Sequence, residues 1–281
     1  MRGILLRNII AALLFTPCCY GEPRSSEGTI SISGSTTCLP VVSRAAEEFM
    51  QRHPQVTITV SPGGSGVGVS ALAKGAVDIG MTSRDISEKE RSNYPEVDLF
   101  LTPFARDAVV PVVSLEVSEA GITHLSIPQI RGIYSGRLKN WKDLGGPDKG
   151  ILAVDKEPDR GTRHVFMQAI FGDKYAEAPG TSIVTGPNDD MQMAVATSDA
   201  AIGFLSHTWI NANVKGLGIE AGGGIVYPTI ADIRSRRFPI SRNLSFVTDG
   251  PPKGMAKEFI DSVLSPEGRK IIIKAGLVPL K

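Results

Sequence analysis

VTITVSPGGSGVGVSALAKGAVDIGM, residues 56–81, is the stretch of sequence from which the fold class is inferred. Residues 56–60 alternate apolar and polar side chains as a β-strand does, and the glycine- and serine-rich residues 61–70 follow directly. A short helix comes next, and residues 77–81 form a second strand. A strand, a loop, a helix and another strand in this order predict an α/β protein with parallel strands.

The same order of elements is predicted upstream. Residues 29–33 (TISIS) alternate as a strand, residues 34–37 (GSTT) form a polar turn, and an amphipathic helix then runs to His53-Pro54. The strand at 77–81 also ends in a polar turn, Thr82-Ser83-Arg84. Because ligands of open α/β sheets bind outside the carboxyl ends of the strands, we expect the three polar loops to converge at one edge.

The glycine-rich segment is compatible with a flexible linker or with a loop whose backbone N–H groups surround an anion. A nucleotide-binding P-loop needs a Lys followed by Ser or Thr after its last glycine, whereas Gly68 is followed by Val69-Ser70. The dinucleotide fingerprint GxGxxG is absent, and Ser65 does not stand in the G-x-S-x-G context of a catalytic serine. These departures argue against nucleotide hydrolysis and against a serine hydrolase.

Four loops that precede helices are rich in Ser, Thr, Gly and Arg. A helix start favours anions, and the planar guanidinium of Arg matches oxyanions. Taken singly, the hydroxyls also fit helix caps, and Arg84, Arg160 and Arg163 also fit surface ion pairs. Taken together, the four loops favour an oxyanion site.

Composition restricts the possible functions further. The 281 residues include 30 basic and 29 acidic side chains, and loss of Arg2 and Arg7 with a leader would leave a net charge of about −1, so a nucleic-acid partner is not expected. The four His show no metal-ligand spacing, and we expect neither a metal nor a cofactor. Of the three Cys, only Cys38 lies beyond the leader, so no disulfide framework is expected.

Residues 1–21 have the pattern of a signal peptide. Arg2 and Arg7 precede the short apolar core at residues 9–15, and small residues follow at Cys19 and Gly21. The alternatives are a buried N-terminal helix and a lipoprotein acylated on Cys18 or Cys19. We therefore expect a periplasmic or extracellular protein.

Downstream of these loops, two segments suggest connections between lobes. Residues 108–113 (AVVPVV) predict an apolar strand, and Pro111 argues against a central place in a sheet but suits a strand that crosses between lobes. Residues 238–247 are predicted to be extended and to return to the first lobe. Residues 155–163 are predicted as a charged loop, and residues 206–237 as irregular.

An ordered set of motifs over essentially the whole chain beyond the leader resembles the PstS-like family, the substrate-binding proteins of phosphate ABC transporters. The motifs are GSTT (34–37), GGSGVG (63–68), DIGMTSR (78–84), DA (107–108), SG (135–136), NW (140–141), AIG (201–203), SPEG (265–268) and VP (278–279). The resemblance implies a two-lobed periplasmic binding protein type II fold. Each lobe is expected to be a mixed sheet flanked by helices, with two strands crossing between the lobes.

The resemblance also implies the boundaries, the partners and the site. The first lobe is expected at 28–106 with a return segment at 239–281, and the second lobe at 107–238. The expected partners are inorganic phosphate and a membrane permease, and the protein is expected to be monomeric and not an enzyme. The residues expected to bind phosphate are Ser35, Thr36, Thr37, Gly64, Ser65, Ser83, Arg84, Arg160, Gly161, Thr162 and Arg163.

Two features leave the preferred anion open. The family usually has a Ser-Gly-Thr core in the second-lobe loop, but Arg160 stands at the Ser position here, and Lys156 stands where some members carry a ligand Arg. Phosphate also carries a proton at neutral pH, so a selective site needs an acceptor, for which Asp159 and Asp190 are the candidates. Without one, the same fold could bind sulfate, molybdate or tungstate.

Overall fold

The computed structural model describes residues 28–280, and the signal peptide and acylation sites predicted at Cys18 or Cys19 lie outside this range. Its strands are β1 (Thr29–Gly34), β2 (Thr57–Pro62), β3 (Ile79–Thr82), β4 (Leu99–Val113), β5 (His124–Ser126), β6 (Leu152–Lys156), β7 (Thr181–Thr185), β8 (Ala201–Ser206), β9 (Lys215–Gly216), β10 (Gly218–Ala221), β11 (Gly224–Val226), β12 (Ser241–Asp249) and β13 (Val278–Pro279).

The helices are α1 (Leu39–Arg52), α2 (Ser65–Ala73), α3 (Glu88–Asn93), α4 (Leu115–Glu119), α5 (Ile127–Tyr134), α6 (Gly161–Phe171), α7 (Asn188–Ala196), α8 (Ile230–Arg234), α9 (Gly254–Leu264) and α10 (Pro266–Lys274). Two 3₁₀ turns lie at Trp141–Leu144 and His207–Trp209. Within residues 28–280 no helix combines the length and the apolar character needed to cross a membrane.

The first three strands form the parallel unit that the sequence predicted. β1 lies between β2 and β3 and pairs with both in parallel. The close approach of α2 to this sheet explains Gly68, because a Cβ there would lie 2.7 Å from the backbone oxygen of Ser33 and 2.8 Å from Cα of Gly34. The glycine-rich segment is therefore an ordered part of the fold, with α2 beginning inside it at Ser65.

Two long antiparallel strands connect the halves of the molecule. β12 pairs with β3 on one side and along β4 on the other, from Ser241 opposite Ala108 to Asp249 opposite Leu99. The last five residues of β4 pair instead with β8. The sheet order β2-β1-β3-β12-β4-β8-β6-β7 thus passes from one half to the other through β4 and β12.

Pro111 lies inside β4, which is an interior strand. Its carbonyl accepts from the N–H of Leu217 on the side where β9 pairs, and β9 is only two residues long. The N–H and C=O groups of one residue in a strand point to the same side. The N–H that proline lacks would therefore face the two-residue strand β9, where few ladder hydrogen bonds form. The proline is compatible with the crossing strand for this reason.

Two large apolar cores, separate from each other and accompanied by one small cluster around Val69 and Leu99, agree with the two-lobed architecture. One, under β1–β3, is built around Phe49, Phe104, Phe246 and Phe259 with the return helices α9 and α10. The other includes the fully buried Trp141 and the stacked rings of Phe166 and Phe204, whose centroids lie 4.1 Å apart. A small sheet of β11, β10 and β5 covers the second lobe.

Two sequence predictions of local structure were wrong. Residues 155–163 are not one loop, because Asp155 and Lys156 end the buried strand β6 and α6 begins at Gly161. Residues 206–237 contain β9, β10, β11 and α8. In both regions tertiary pairing supplies the backbone partners that local patterns did not reveal.

Candidate functional site

A small closed cavity lies between the two lobes, where the carboxyl ends of strands meet the starts of helices. Its volume is about 10 Å³, the size that holds about one water-sized group. The first lobe contributes the segment after β1, the start of α2 and the residue after β3, and the second lobe contributes the ends of β6 and β7 and the starts of α6 and α7. The lining residues are Ser35, Thr36, Gly64, Ser65, Ser83, Lys156, Arg160, Gly161, Thr162, Gly186 and Asn188.

Direct contacts across the cleft show that the lobes are closed. The side-chain amide of Asn188 donates to Thr37 Oγ1 at 3.2 Å. The backbone N–H of Gly66 donates to the carbonyl of Asp159 at 3.4 Å. Gly161 approaches the first lobe so closely that a Cβ there would lie 2.6 Å from Ser83 Oγ.

The helices that begin at the cavity have starts that no side chain caps. α2, α6 and α7 lack a side-chain hydrogen bond at their N-caps. Among the other described helices, α3, α5, α8 and α10 are capped by Ser87, Ser126, Thr229 and Ser265, whereas α1, α4 and α9 have no side-chain cap. The first N–H groups of a helix have no intrahelical acceptor, so the three starts at the cavity direct N–H donors and positive dipole ends toward one small space.

Hydroxyl groups from both lobes meet at the floor of the cavity. Ser65 Oγ accepts from the backbone N–H of Ser83 at 3.1 Å and lies 3.3 Å from Ser83 Oγ. Ser65, Ser83 and Thr162 are all buried. Hydroxyls both donate and accept, so this group can bind an oxyanion and can also accept a proton from it.

Arg242 is not itself among the lining residues, but its guanidinium, which comes from the crossing strand β12, contacts hydroxyls of the lining from behind. Its Nη1 donates to Ser83 Oγ at 3.2 Å and to Thr162 Oγ1 at 3.0 Å, and its Nη2 donates to Thr37 Oγ1 at 3.2 Å. The side chain thus contacts hydroxyls of both lobes while it is buried itself. A charged planar donor in this position can recognise a tetrahedral oxyanion.

Asp107 holds this guanidinium from the opposite side. Oδ2 of Asp107 lies 2.8 Å from Nε and 2.6 Å from Nη2 of Arg242. Burial alone would raise the pKa of Asp107, but the charge of Arg242 and hydrogen bonds from His207 and Ser206 lower it to about 2. The carboxyl is therefore ionised at neutral pH, and the fixed pair orients Arg242 toward the cavity.

Lys156 is the second cation of the cavity. Its side chain is buried at the end of β6, and its Nζ donates to the carbonyl of Pro187 at 3.0 Å. Burial, with a further contribution from the positive charges of Arg160 and Arg242, lowers the pKa of Lys156 to about 7. An anion in the cavity would oppose both effects and favour the ammonium form.

Arg160 lines the cavity at its rim. Its guanidinium pairs with Glu157, with 2.8 Å between Nε and Oε2. The side chain also packs across the cleft on Gly64, where a Cβ would lie 3.2 Å from Arg160 Cδ. The rim of the cavity at this position thus carries a guanidinium whose charge is partly satisfied by Glu157.

Arg84 and Arg163 lie away from the cavity, contrary to the sequence prediction. Arg84 forms two hydrogen bonds of 2.8 Å with the carboxylate of Glu90. Arg163 pairs with Asp155 at 3.1 Å and donates to the carbonyl of Ala176. A buried guanidinium needs an anionic partner, and each of these finds one within its own lobe.

The two carboxylates considered as proton acceptors are not among the cavity-lining residues. Asp159 contributes its backbone carbonyl to the contact with Gly66, and Asp190 is exposed on the first turn of α7. The lining within the described chain contains no carboxylate. Among residues 28–280 no cluster of His, Cys, Asp and Glu side chains could hold a metal ion.

The sequence analysis named most of the hydroxyl and glycine residues that line the cavity but missed Asn188 and the neighbouring Arg242. A single Arg between apolar and hydroxyl residues of a predicted strand, FPISRNLSF at 238–246, was the signal for Arg242. Such an Arg is expected to be buried with a partner. For Asn188, which precedes two acids at the start of a helix, the sequence carries no comparable signal.

Comparison with known proteins identifies the family to which the chain belongs. The model of the PBP superfamily domain matches residues 22–267. The phosphate-binding protein PstS of Bacillus subtilis is 32% identical in an alignment of 265 residues that covers 92% of this chain and 83% of that protein. PstS of Borreliella burgdorferi is 26% identical in an alignment, gaps included, of 281 residues that covers 97% of this chain and 98% of that protein.

Solved structures show the same similarity. A substrate-binding protein of Clostridium perfringens, assigned to a phosphate ABC transporter and solved with bound phosphate, superimposes with a TM-score of 0.81 at 29% identity, covering 90% of this chain and all of that one (100%). An ABC-type phosphate transport receptor of Vibrio cholerae gives a TM-score of 0.72 at 31% identity, covering 89% of this chain and 99% of the other.

Proposed function

This chain belongs to the PBP superfamily as a PstS-like phosphate-binding protein, and from that premise we propose that the closed cavity is its phosphate site and Arg242 its principal cationic ligand. The protein captures inorganic phosphate between its two lobes for an ABC transporter. The observation that supports the assignment of the site is the contact of the Arg242 guanidinium with the hydroxyls of Ser83, Thr162 and Thr37.

In this proposal the two lobes contribute at different stages. Arg242 lies on a crossing strand, so it is in place beside Ser65 and Ser83 when the cleft is open. Phosphate binds first to this surface. Rotation of the second lobe about β4 and β12 then brings Gly161 and Thr162 against the anion, with the uncapped start of α6 adding backbone donors.

The cavity lining supports a small polar anion, because it consists of hydroxyl, glycine, amide and cationic residues from both lobes. The protein acts by binding and release, without covalent chemistry, and we propose that it is not an enzyme.

Further parts of the proposal concern the protein's surroundings. We propose that the partner is the membrane permease of a phosphate ABC transporter and that the protein is monomeric. We also propose that residues 1–21 direct its export to the periplasm or the outside of the cell, with acylation of Cys18 or Cys19 as the alternative to free release.

One observation favours a second candidate ligand. No carboxylate lines the described cavity, so a fully ionised oxyanion would not face a carboxylate in direct contact there. The same site could therefore bind sulfate, molybdate or tungstate, with selectivity for phosphate resting on the hydroxyls as proton acceptors.

Calorimetric titration of the phosphate-stripped protein, without residues 1–21, tests the proposal. We expect tight binding of phosphate and much weaker binding of sulfate, molybdate and tungstate. If phosphate gives no heat and an unprotonated oxyanion binds, the second candidate replaces the first. Turnover of a chromogenic phosphate ester would refute the claim that the protein is not an enzyme.

A further inference from the structure

His207 lies just behind the cavity, and both of its ring nitrogens meet oxygen acceptors. It begins the 3₁₀ turn after β8, and its side chain is buried. Nδ1 lies 2.6 Å from Oδ1 of Asp107, and Nε2 lies 2.7 Å from the carbonyl oxygen of Gly276. The ring therefore joins the second-lobe strand β8 to the crossing strand β4 and to the segment after α10.

The two acceptors indicate that the ring carries two protons. The carbonyl of Gly276 can only accept, so Nε2 donates. Oδ2 of Asp107 accepts from Arg242, and Oδ1 accepts from Ser206 Oγ at 2.8 Å, which is the pattern of an ionised carboxylate. Nδ1 must then donate as well.

The alternative tautomer fits the geometry poorly. An unprotonated Nδ1 could accept from the N–H of Ala108, but that distance is 3.4 Å. It would also place a nitrogen lone pair 2.6 Å from a carboxylate oxygen of Asp107 with no proton between them. The imidazolium satisfies both short contacts.

The charges that face His207 support the same state. Asp107 on β4 and Arg242 on β12 are the charged groups beside it, and the segment after α10 presents the carbonyl of Gly276. Burial and the nearby Arg242 would lower the pKa of His207. The hydrogen bond and the charge of Asp107, with the bond to Gly276, outweigh them and raise it above its usual value.

We propose that His207, as an imidazolium, is a positioning residue for phosphate that acts through Asp107 on Arg242. The carboxylate of Asp107 is shared between two cations, so Nη1 and Nη2 of Arg242 remain in contact with the cavity hydroxyls. The side chains of His207, Asp107 and Arg242 together carry one net positive charge. The proposal rests on the function proposed above. Since the anion and the proton on His207 attract each other, each stabilises the binding of the other.

The first test needs no ligand. Nuclear magnetic resonance of the phosphate-free protein, labelled with ¹⁵N in histidine, reports the protonation of each ring nitrogen. We expect both nitrogens of His207 to be protonated at pH 6 and the ring to titrate above the ordinary value of about 6.5. A ring that is neutral at pH 6, or that titrates near 6.5, overturns the proposal.

The second test measures the effect on phosphate. His207→Gln keeps a donor but removes the charge, and we expect phosphate affinity at pH 7 to fall about tenfold. The ratio of wild-type to variant affinity should shrink toward one as the pH rises through the pKa of His207. The ionisation of phosphate itself cancels in this ratio.

Ser206→Ala is the matched control, because it removes a neutral hydrogen bond to the same oxygen of Asp107. Its affinity relative to wild type should not change with pH. The positioning role is refuted if the ratio of wild-type to His207→Gln phosphate affinity is constant with pH, or if the variant loses no affinity. If the wild type binds no phosphate, the proposed function fails, while the protonation state of His207 is still decided by the first test.

Discussion

Arg242 and Asp107 are directly opposite residues in the ladder between the crossing strands β12 and β4. Their side chains lie on the same face, where Nε and Nη2 of Arg242 approach Oδ2 of Asp107 at 2.8 and 2.6 Å. The register of the two strands therefore fixes the direction of the guanidinium. A slip of one residue would move Arg242 to the other face of the sheet and away from the cavity.

The first prediction concerns this guanidinium. Arg242→Lys keeps the charge but loses the planar group that contacts Asp107 and three hydroxyls at once, so we expect the phosphate dissociation constant to rise at least about 100-fold. Calorimetric titration measures it. Arg106→Lys on β4, where the side chain donates to the carbonyl of Arg234, is the control and should bind normally. Binding by Arg242→Lys within a factor of about three of wild type would contradict the role.

The second prediction concerns closure of the cleft. A Cβ on Gly161 would clash with Ser65 and Ser83 only when the lobes are together. Gly161→Ala should therefore weaken phosphate binding about tenfold or more without lowering the melting temperature of the free protein. Gly150→Ala, whose Cβ would have a neighbour only at 3.9 Å, is the control in the same lobe. Normal phosphate binding by Gly161→Ala would show that closure does not depend on this contact.

The third prediction is that replacing Lys156 changes stability and phosphate binding in opposite directions. Replacing this buried ammonium with methionine should raise the melting temperature of the free protein and weaken phosphate binding. The pKa of Lys156 is about 7 against an ordinary 10.5, so the unfolded chain binds more protons between these values. The wild type should therefore gain stability relative to Lys156→Met as the pH rises through that window.

Thermal unfolding of both proteins at pH 7 to 10 checks this prediction. Lys270→Met, on an exposed position of α10, is the control and should change neither property. A Lys156→Met variant that is less stable than wild type at pH 7 would contradict the argument from burial.

The fourth prediction concerns Asp107. Asp107→Asn leaves Arg242 buried without its counter-charge and should cost about 3–5 kcal/mol of stability at pH 7. The folded pKa of Asp107 is about 2, below its ordinary value of 3.8. The contribution of ionised Asp107 to the free energy of unfolding is therefore present above the ordinary pKa and is lost as the pH falls through about 2.

Denaturant unfolding at pH 7 and at low pH measures the difference in free energy of unfolding between wild type and Asp107→Asn. This difference should become smaller on acidification. Asp261→Asn, which removes an exposed pair with Lys257, is the control and should change stability by less than about 1 kcal/mol. An undiminished difference at low pH would mean that Asp107 does not act through its charge.

The fifth prediction concerns selectivity. Because Asp190 is exposed and outside the cavity lining, Asp190→Asn should leave the preference for phosphate over sulfate unchanged within about threefold. Competition titrations of this variant and of Asp189→Asn measure the preference. If Asp190→Asn alone loses it, the carboxylate reaches the anion in the bound state and the hydroxyls are not the acceptors.

The fold and the hydroxyl part of the site could be predicted from sequence because their signals are local. Strand alternation and helix periodicity gave the order of β1 to β3, and the carboxyl ends of those strands brought Ser35, Ser65 and Ser83 together. Local sequence signals could not show which of the arginines lie at the cavity. Arg84 and Arg163 follow the same pattern as Arg160, and only the structure shows that they pair with Glu90 and Asp155 and are absent from the cavity lining.

The sequence by itself determined the α/β class and the loops whose hydroxyl and glycine residues line the cavity, because each depends on residues close together in the chain. Only the tertiary structure placed the guanidinium of Arg242 against the hydroxyls of the cavity. Arg242 is 135 residues from Asp107 along the chain, and the strand register that makes them neighbours is set by the whole sheet. A buried charge is positioned by its counter-charge, and that partner is found only in the folded molecule.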